Sequence, residues 1–279
     1  MTTHAQPIAR AAAASPAAGP AATPRVAALW AVVALIAGAW LAAVLLEVTG
    51  HAAALHHHAL IEGEDGTAAP PLWLAIPLFL AAWQLMIAGM MLPASLRAVG
   101  VLARSRLVSR PAAALTGFLG AYSLAWTAFG LLAFIGDVGL HRLVDATPWL
   151  AARPWLIEAT ALALAGGYQL LPLRRRALEA CRHPRATSAA LVLANDPRVD
   201  LGVGFRIGLA HALDCLVCSW ALMLLMFAAG VANLAWMAVL AGVMAYEALG
   251  RHGARFGIVV GLALLGAAVV AAPGVIVGF

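Results

Sequence analysis

Long apolar stretches separated by short polar segments make up nearly all of the chain beyond residue 25. Seven stretches, near 26–47, 72–92, 112–136, 154–173, 205–229, 232–249 and 256–277, have the roughly 17–25 residues a helix needs to cross a hydrocarbon core. Pro24, Pro71, Pro111 and Pro154 stand at or just before four of the starts, where a missing N–H does no harm. The pattern predicts an all-α fold, a polytopic bundle of about seven transmembrane helices forming a single domain over 26–279. Residues 1–25, rich in Ala, Pro and Thr and without apolar period, read as a disordered tail. The turn around Gly230 to Asn233 is short enough to make the fifth and sixth helices antiparallel neighbours.

Composition agrees. Of 279 residues, 64% are hydrophobic and 10% charged, with a mean hydropathy of +0.93. A soluble domain carries about 25% charged residues, so the lipid bilayer is the expected partner of most of this surface. The net charge of +5 does not point to nucleic acid, because its distribution has a better explanation. All basic residues are Arg, and most fall in the tail and in the loops 93–111, 174–206 and 250–255. The other side keeps only Arg142 and Arg153, with Glu62, Glu64, Asp65, Asp137 and Asp145. The positive-inside rule then places the N-terminus in the cytoplasm and the C-terminus outside. The first apolar run exceeds a signal-peptide core and reads as an uncleaved span. No loop is long enough to fold a soluble core of its own.

Against this apolar background the fifth stretch stands out. It carries His211, Asp214, Cys215 and Cys218, and ionisable groups at membrane depth mark functional paths. His211, Cys215 and Cys218, spaced by four and three, share one stripe of a helix with Asp214 at its edge. With a rise of about 1.5 Å per residue, His211 lies roughly 8 Å and Cys215 roughly 14 Å in from the cytoplasmic end near Arg206. In the second stretch Met86 and Met90 lie four apart, with Trp83 three before Met86; in the sixth, Met237, Met244 and Glu247 fall along one side. Tyr168 and Gln169 add polar groups in the same half of the membrane. Thioether, thiolate and imidazole together form a donor set suited to Cu(I).

Each feature also has a plainer reading. Methionines fill core gaps and a membrane Cys packs as a small hydrophobe. Glu247 can pair with Arg251 one turn on. Arg174 to Arg176 read as a membrane-edge anchor, and Gly166 and Gly167 as a close-packing site. Between the first two stretches His51, His56, His57 and His58 precede Glu62, Glu64 and Asp65, a tract able to take Cu(II), Zn or Ni or to serve only as a solvated loop. No nucleophile–base pair, nucleotide motif or paired carboxylate points to an enzyme. A small-solute permease using His211, Asp214 and Glu247, and a non-catalytic scaffold for a metalloprotein, are the alternatives to metal handling.

Three blocks carry a resemblance: WQLMIAGMMLP, GGYQLLPLRRRALEACRHP, and GFRIGLAHALDCLVCSWALMLLMFAAGVANLAWM followed by Glu247. From about Leu72 to Glu247 the chain resembles a bacterial family of predicted metal-binding integral membrane proteins, catalogued as a domain of unknown function and sometimes labelled copper chaperone. The resemblance implies a multi-pass protein of the bacterial inner membrane that handles copper, with a metalloprotein as partner. By position it implies Met90, Met91, Cys181, His211, Cys215, Cys218 and Glu247 as site residues; Met86 and Asp214 join them from the helical spacing alone. The chain departs from the family pattern at Ala177 and Ser219, where members often have Cys, and at Ala232, where they often have Met.

Overall fold

A computed structural model of the chain describes residues 24–52, 59–60, 70–105, 108–184, 200–229 and 233–272. Within them the backbone is helical, with turns and no strand. In chain order the helices are α1 (Pro24–Val48), α2 (Leu72–Arg104), α3 (Pro111–Ala146), the single turn α4 (Pro148–Ala151), α5 (Pro154–Gln169), α6 (Pro172–Arg182), α7 (Asp200–Ala229), α8 (Leu234–Leu249) and α9 (Gly253–Ala271). The tail before Pro24, the loop residues His56, His57, His58, Glu62, Glu64 and Asp65, and Arg106, Arg185, Arg198, Gly230 and Ala232 lie outside the described residues.

Five helices are long and apolar enough to cross a membrane, and six if α5 and α6 count as one broken span. The expectation of seven separate spans therefore meets two irregular elements. The fourth stretch breaks at Leu171, whose φ of -68° and ψ of 140° are extended.

 Pro172 disfavours helical geometry in the residue before it and lacks the N–H that would continue the ladder, so α6 turns 65° away from α5. The sixth stretch yields α8, whose 16 residues rise about 24 Å, short of a hydrocarbon core of about 30 Å. By contrast α2 and α3, with 33 and 36 residues, run past the predicted ends of their stretches.

Packing is set by small residues and aromatic rings. α3 lies against α7, where Gly204 and Gly208 sit over the backbone at Ala114 and Phe118 with no room for a side chain; small residues permit such helix approaches in membranes. Gly166 of α5 sits in the same way against Gly261 and Leu265 of α9, as a close-packing site should, whereas Gly167 faces open space. Pro93 lies inside α2 and cannot donate to the carbonyl of Gly89. The indole N–H of Trp40 on α1 donates to that oxygen instead, at 3.1 Å. Asp200 fixes the other end of the bundle: its carboxylate accepts from the backbone N–H groups of Ser109 (3.1 Å) and Arg110 (2.7 Å), at the entry to α3.

Candidate metal centre

All three cysteines of the chain are free and buried, and they meet at one cavity. Cys215 and Cys218 come from α7, and Cys181 arrives from α6, which its bend carries under the bundle. The cavity is about 20 Å³ and is lined by those thiols with His211, Met91, Met244, Ser219 and Glu247. That volume holds about one water-sized guest.

The donors are held from several sides. The Cys181 and Cys218 sulfurs are 3.9 Å apart, and Cys215 lines the same cavity. The Cys215 thiol contacts the Tyr122 hydroxyl of α3 at 3.1 Å. His211 Nε2 lies 3.2 Å from the Ser95 hydroxyl, which donates to the Met91 carbonyl on α2. Ser219 donates to the Cys215 carbonyl at 2.6 Å and lies 3.8 Å from the Met91 sulfur. Among the described residues no group of three or more His, Cys, Asp or Glu side chains is arranged to hold a metal ion; the convergence includes thioethers as well.

A buried ionic network closes the lower wall. Arg174 is only 1% exposed and pairs with Glu247, while its Nε donates to the Cys218 carbonyl at 3.1 Å. Gln169 donates to the other Glu247 oxygen at 3.3 Å. Arg182 donates to the carbonyls of Glu247 and Gly250, and Arg97 to that of Leu249 at 2.6 Å. Guanidinium groups on the last carbonyls of α8 meet the negative end of its helix dipole.

The structure thus gathers Cys181, His211, Cys215, Cys218, Met91 and Glu247 from the expected set. It leaves out Asp214, which is half-buried away from the cavity, and Met86 and Met90, which are buried in the hydrophobic core among other side chains. At 100° per residue, Met86 and Met90 share a face that Met91 leaves by one step, so a spacing of four selected the packing face. The expected partner of Glu247 is also different: it is Arg174, not Arg251, and Arg174 is a buried ion-pair residue, not a membrane-edge anchor. Tyr122 and Ser95 were not foreseen as neighbours of the donors, since an isolated Tyr or Ser on an apolar helix carries no spacing signal.

The model of a family described as copper chaperone (PpoB2) matches residues 80–271. The chain belongs to that family. No curated protein and no solved structure matches it. The copper chaperone match takes in all three cysteines, both cavity methionines and the Arg174–Glu247 pair. Two of the departures from the family pattern lie within the described residues. Ser219 lines the cavity itself, and Ala177 is buried on α6, one turn before Cys181.

Proposed function

We propose that this copper chaperone family member is a multi-pass protein of the bacterial inner membrane that carries Cu(I) in the cavity between α2, α6, α7 and α8. One observation carries the reading: the only three thiols of the chain, drawn from separate segments, share an ion-sized space with two thioethers and an imidazole. Thiolates and thioethers favour Cu(I) over harder ions. The spacing is suitable as well. Two sulfurs each about 2.3 Å from one metal, at tetrahedral to trigonal angles, stand about 3.8–4.0 Å apart, and the Cys181 and Cys218 sulfurs are separated by 3.9 Å.

Membrane insertion is supported by the inversion of the usual surface. Trp30, Leu41, Leu132, Leu262 and Val269 point outward from helices able to span, while His211, Arg174 and Glu247 are buried; in water the arrangement is normally the reverse. On this reading the cavity lies at the cytoplasmic end, the N-terminus is on that side, and α5–α6 and α8 complete seven crossings; the arginines gathered around the cavity support it through the positive-inside rule. The protein acts as a carrier that hands copper to a metalloprotein, not as an enzyme. Metal analysis of detergent-purified protein tests the proposal. Copper is expected at about one ion per chain and at background after Cys215→Ser with Cys218→Ser. Unmutated protein that retains no copper after exposure to Cu(I) would refute it.

A further inference from the structure

We propose that Cys181 and Cys218 are also a dithiol couple that reduces cupric ion on entry to the cavity. The inference rests on the reading of this cavity as a copper site and concerns the oxidation state in which copper arrives. A carrier of Cu(I) needs only ligands, but this cavity offers more than that. Its two facing thiols sit on different helices with their sulfurs 3.9 Å apart. A disulfide requires about 2.05 Å. Cys181 rides on the 11-residue α6, an element separate from α7 and joined to α5 through the extended Leu171, so relative movement of the two elements can close the gap. Cys215 lacks this freedom with respect to Cys218, because both belong to the continuous helix α7.

The chemistry balances without a further reagent. Each thiol loses its proton, one S–S bond forms, and the two electrons released pass one apiece to two cupric ions. The products are two cuprous ions, one disulfide and two protons, which leave to solvent. Oxidation of a thiol to a disulfide depends on a partner sulfur within reach, and Cys181 and Cys218 supply one another's at 3.9 Å. Cys215, Met91 and Met244 remain on its wall as soft donors for one cuprous ion, and the other returns to solution.

The test uses the full chain in detergent, reduced, desalted and handled without oxygen, then mixed with excess cupric sulfate. Cuprous ion is read with a colorimetric chelator, free thiols are titrated after denaturation, and linked peptides are identified by mass without reduction. The unmutated protein is expected to yield about two cuprous ions per chain and to lose two of its three thiols, as a two-electron couple must. The new link joins Cys181 to Cys218. Cys215→Ser, which removes a copper donor, is read by the link and still forms it, whereas Cys181→Ser and Cys218→Ser form no link of that kind and lower the yield at least several-fold. Equal reduction by Cys181→Ser, or a link that joins Cys215, would overturn the proposal. Treatment with diamide, a metal-free oxidant, must still form the same link in Cys215→Ser, and cooperative thermal unfolding in detergent checks that Cys181→Ser and Cys218→Ser are folded. Cu(I) retention by the reduced protein is measured in parallel. Retention with all three thiols intact after cupric treatment sinks the dithiol reading alone. Reduction and linkage without retention uphold it and sink the carrier reading.

Discussion

The Arg174–Glu247 pair offers the most direct measure of how tightly the cavity wall is built. Both side chains are almost fully buried, 1% and 3% exposed, and each holds the other's charge away from water. Removing the carboxylate by Glu247→Leu leaves the guanidinium with only the Cys218 carbonyl as a described partner, at 3.1 Å. An uncompensated buried charge costs roughly 3–5 kcal/mol. At about 2–4 °C per kcal/mol for a chain of this size, the melting temperature in detergent is expected to fall by on the order of 10 °C. Replacing both partners with apolar residues of similar length, Arg174→Met with Glu247→Leu, removes both desolvation terms together. The double variant is therefore expected to recover most of the loss, giving a coupling energy of several kcal/mol, on the scale seen for desolvated ion pairs. The assay is thermal or denaturant unfolding of the four proteins in one detergent. A single-variant loss below about 1 kcal/mol, the value of a solvent-exposed pair, would refute the reasoning. So would a double variant no better than the sum of its parts.

Other perturbations test separate parts of the structure. Gly208→Val places a branched side chain into the Phe118 backbone and is expected to separate α3 from α7, lowering the melting temperature and exposing Cys215 to a thiol-reactive dye. Trp40→Phe deletes the donor to Gly89 and is expected to cost about 1 kcal/mol, a cost that shrinks in a Pro93→Ala background whose restored N–H can serve that carbonyl; equal costs in both backgrounds would count against the assignment. Ser219→Cys adds a fourth thiol to the cavity wall and is expected to slow loss of Cu(I) to a competing chelator several-fold, with no change in slope if the residue does not reach the ion.

The sequence made the broad architecture readable because lipid-facing helices are written as long apolar runs; α1, α7 and α9 follow those runs closely, and α2 and α3 start with theirs and extend beyond them. It was less informative where an apolar run contains a local backbone instruction. Hydropathy carries through Leu170 and Leu171 without interruption, yet Pro172 breaks the helix there, and the break brings Cys181 to the cavity. The stripe of His211, Cys215 and Cys218 was legible because it lies on one helix at helical spacing. Its partners were less so, since the approach of Tyr122, Met91 and Glu247 depends on how separate helices pack; the family resemblance alone pointed to Met91 and Cys181, while Glu247 was also marked by its place beside Met244 in the sixth stretch.

Arg174 shows why charge in an apolar chain is ambiguous from sequence. In a run of three arginines at a span's end, the ordinary reading is an anchor in the headgroup region, and Arg175 and Arg176 are indeed exposed. The helix turns 100° per residue, however, so the first of the three faces the bundle while the next two face away. There Arg174 meets Glu247 from α8 and the Cys218 carbonyl from α7, tying three helices together at the cavity wall. A buried guanidinium of this kind is costly unless paired, and its hydrogen bond to the Cys218 carbonyl ties the thiol-bearing segment of α7 to the element that carries Cys181. The same contact that stabilises the wall therefore sets the separation of the two sulfurs, which makes Arg174 a positioning residue for the cavity and not merely a counter-ion.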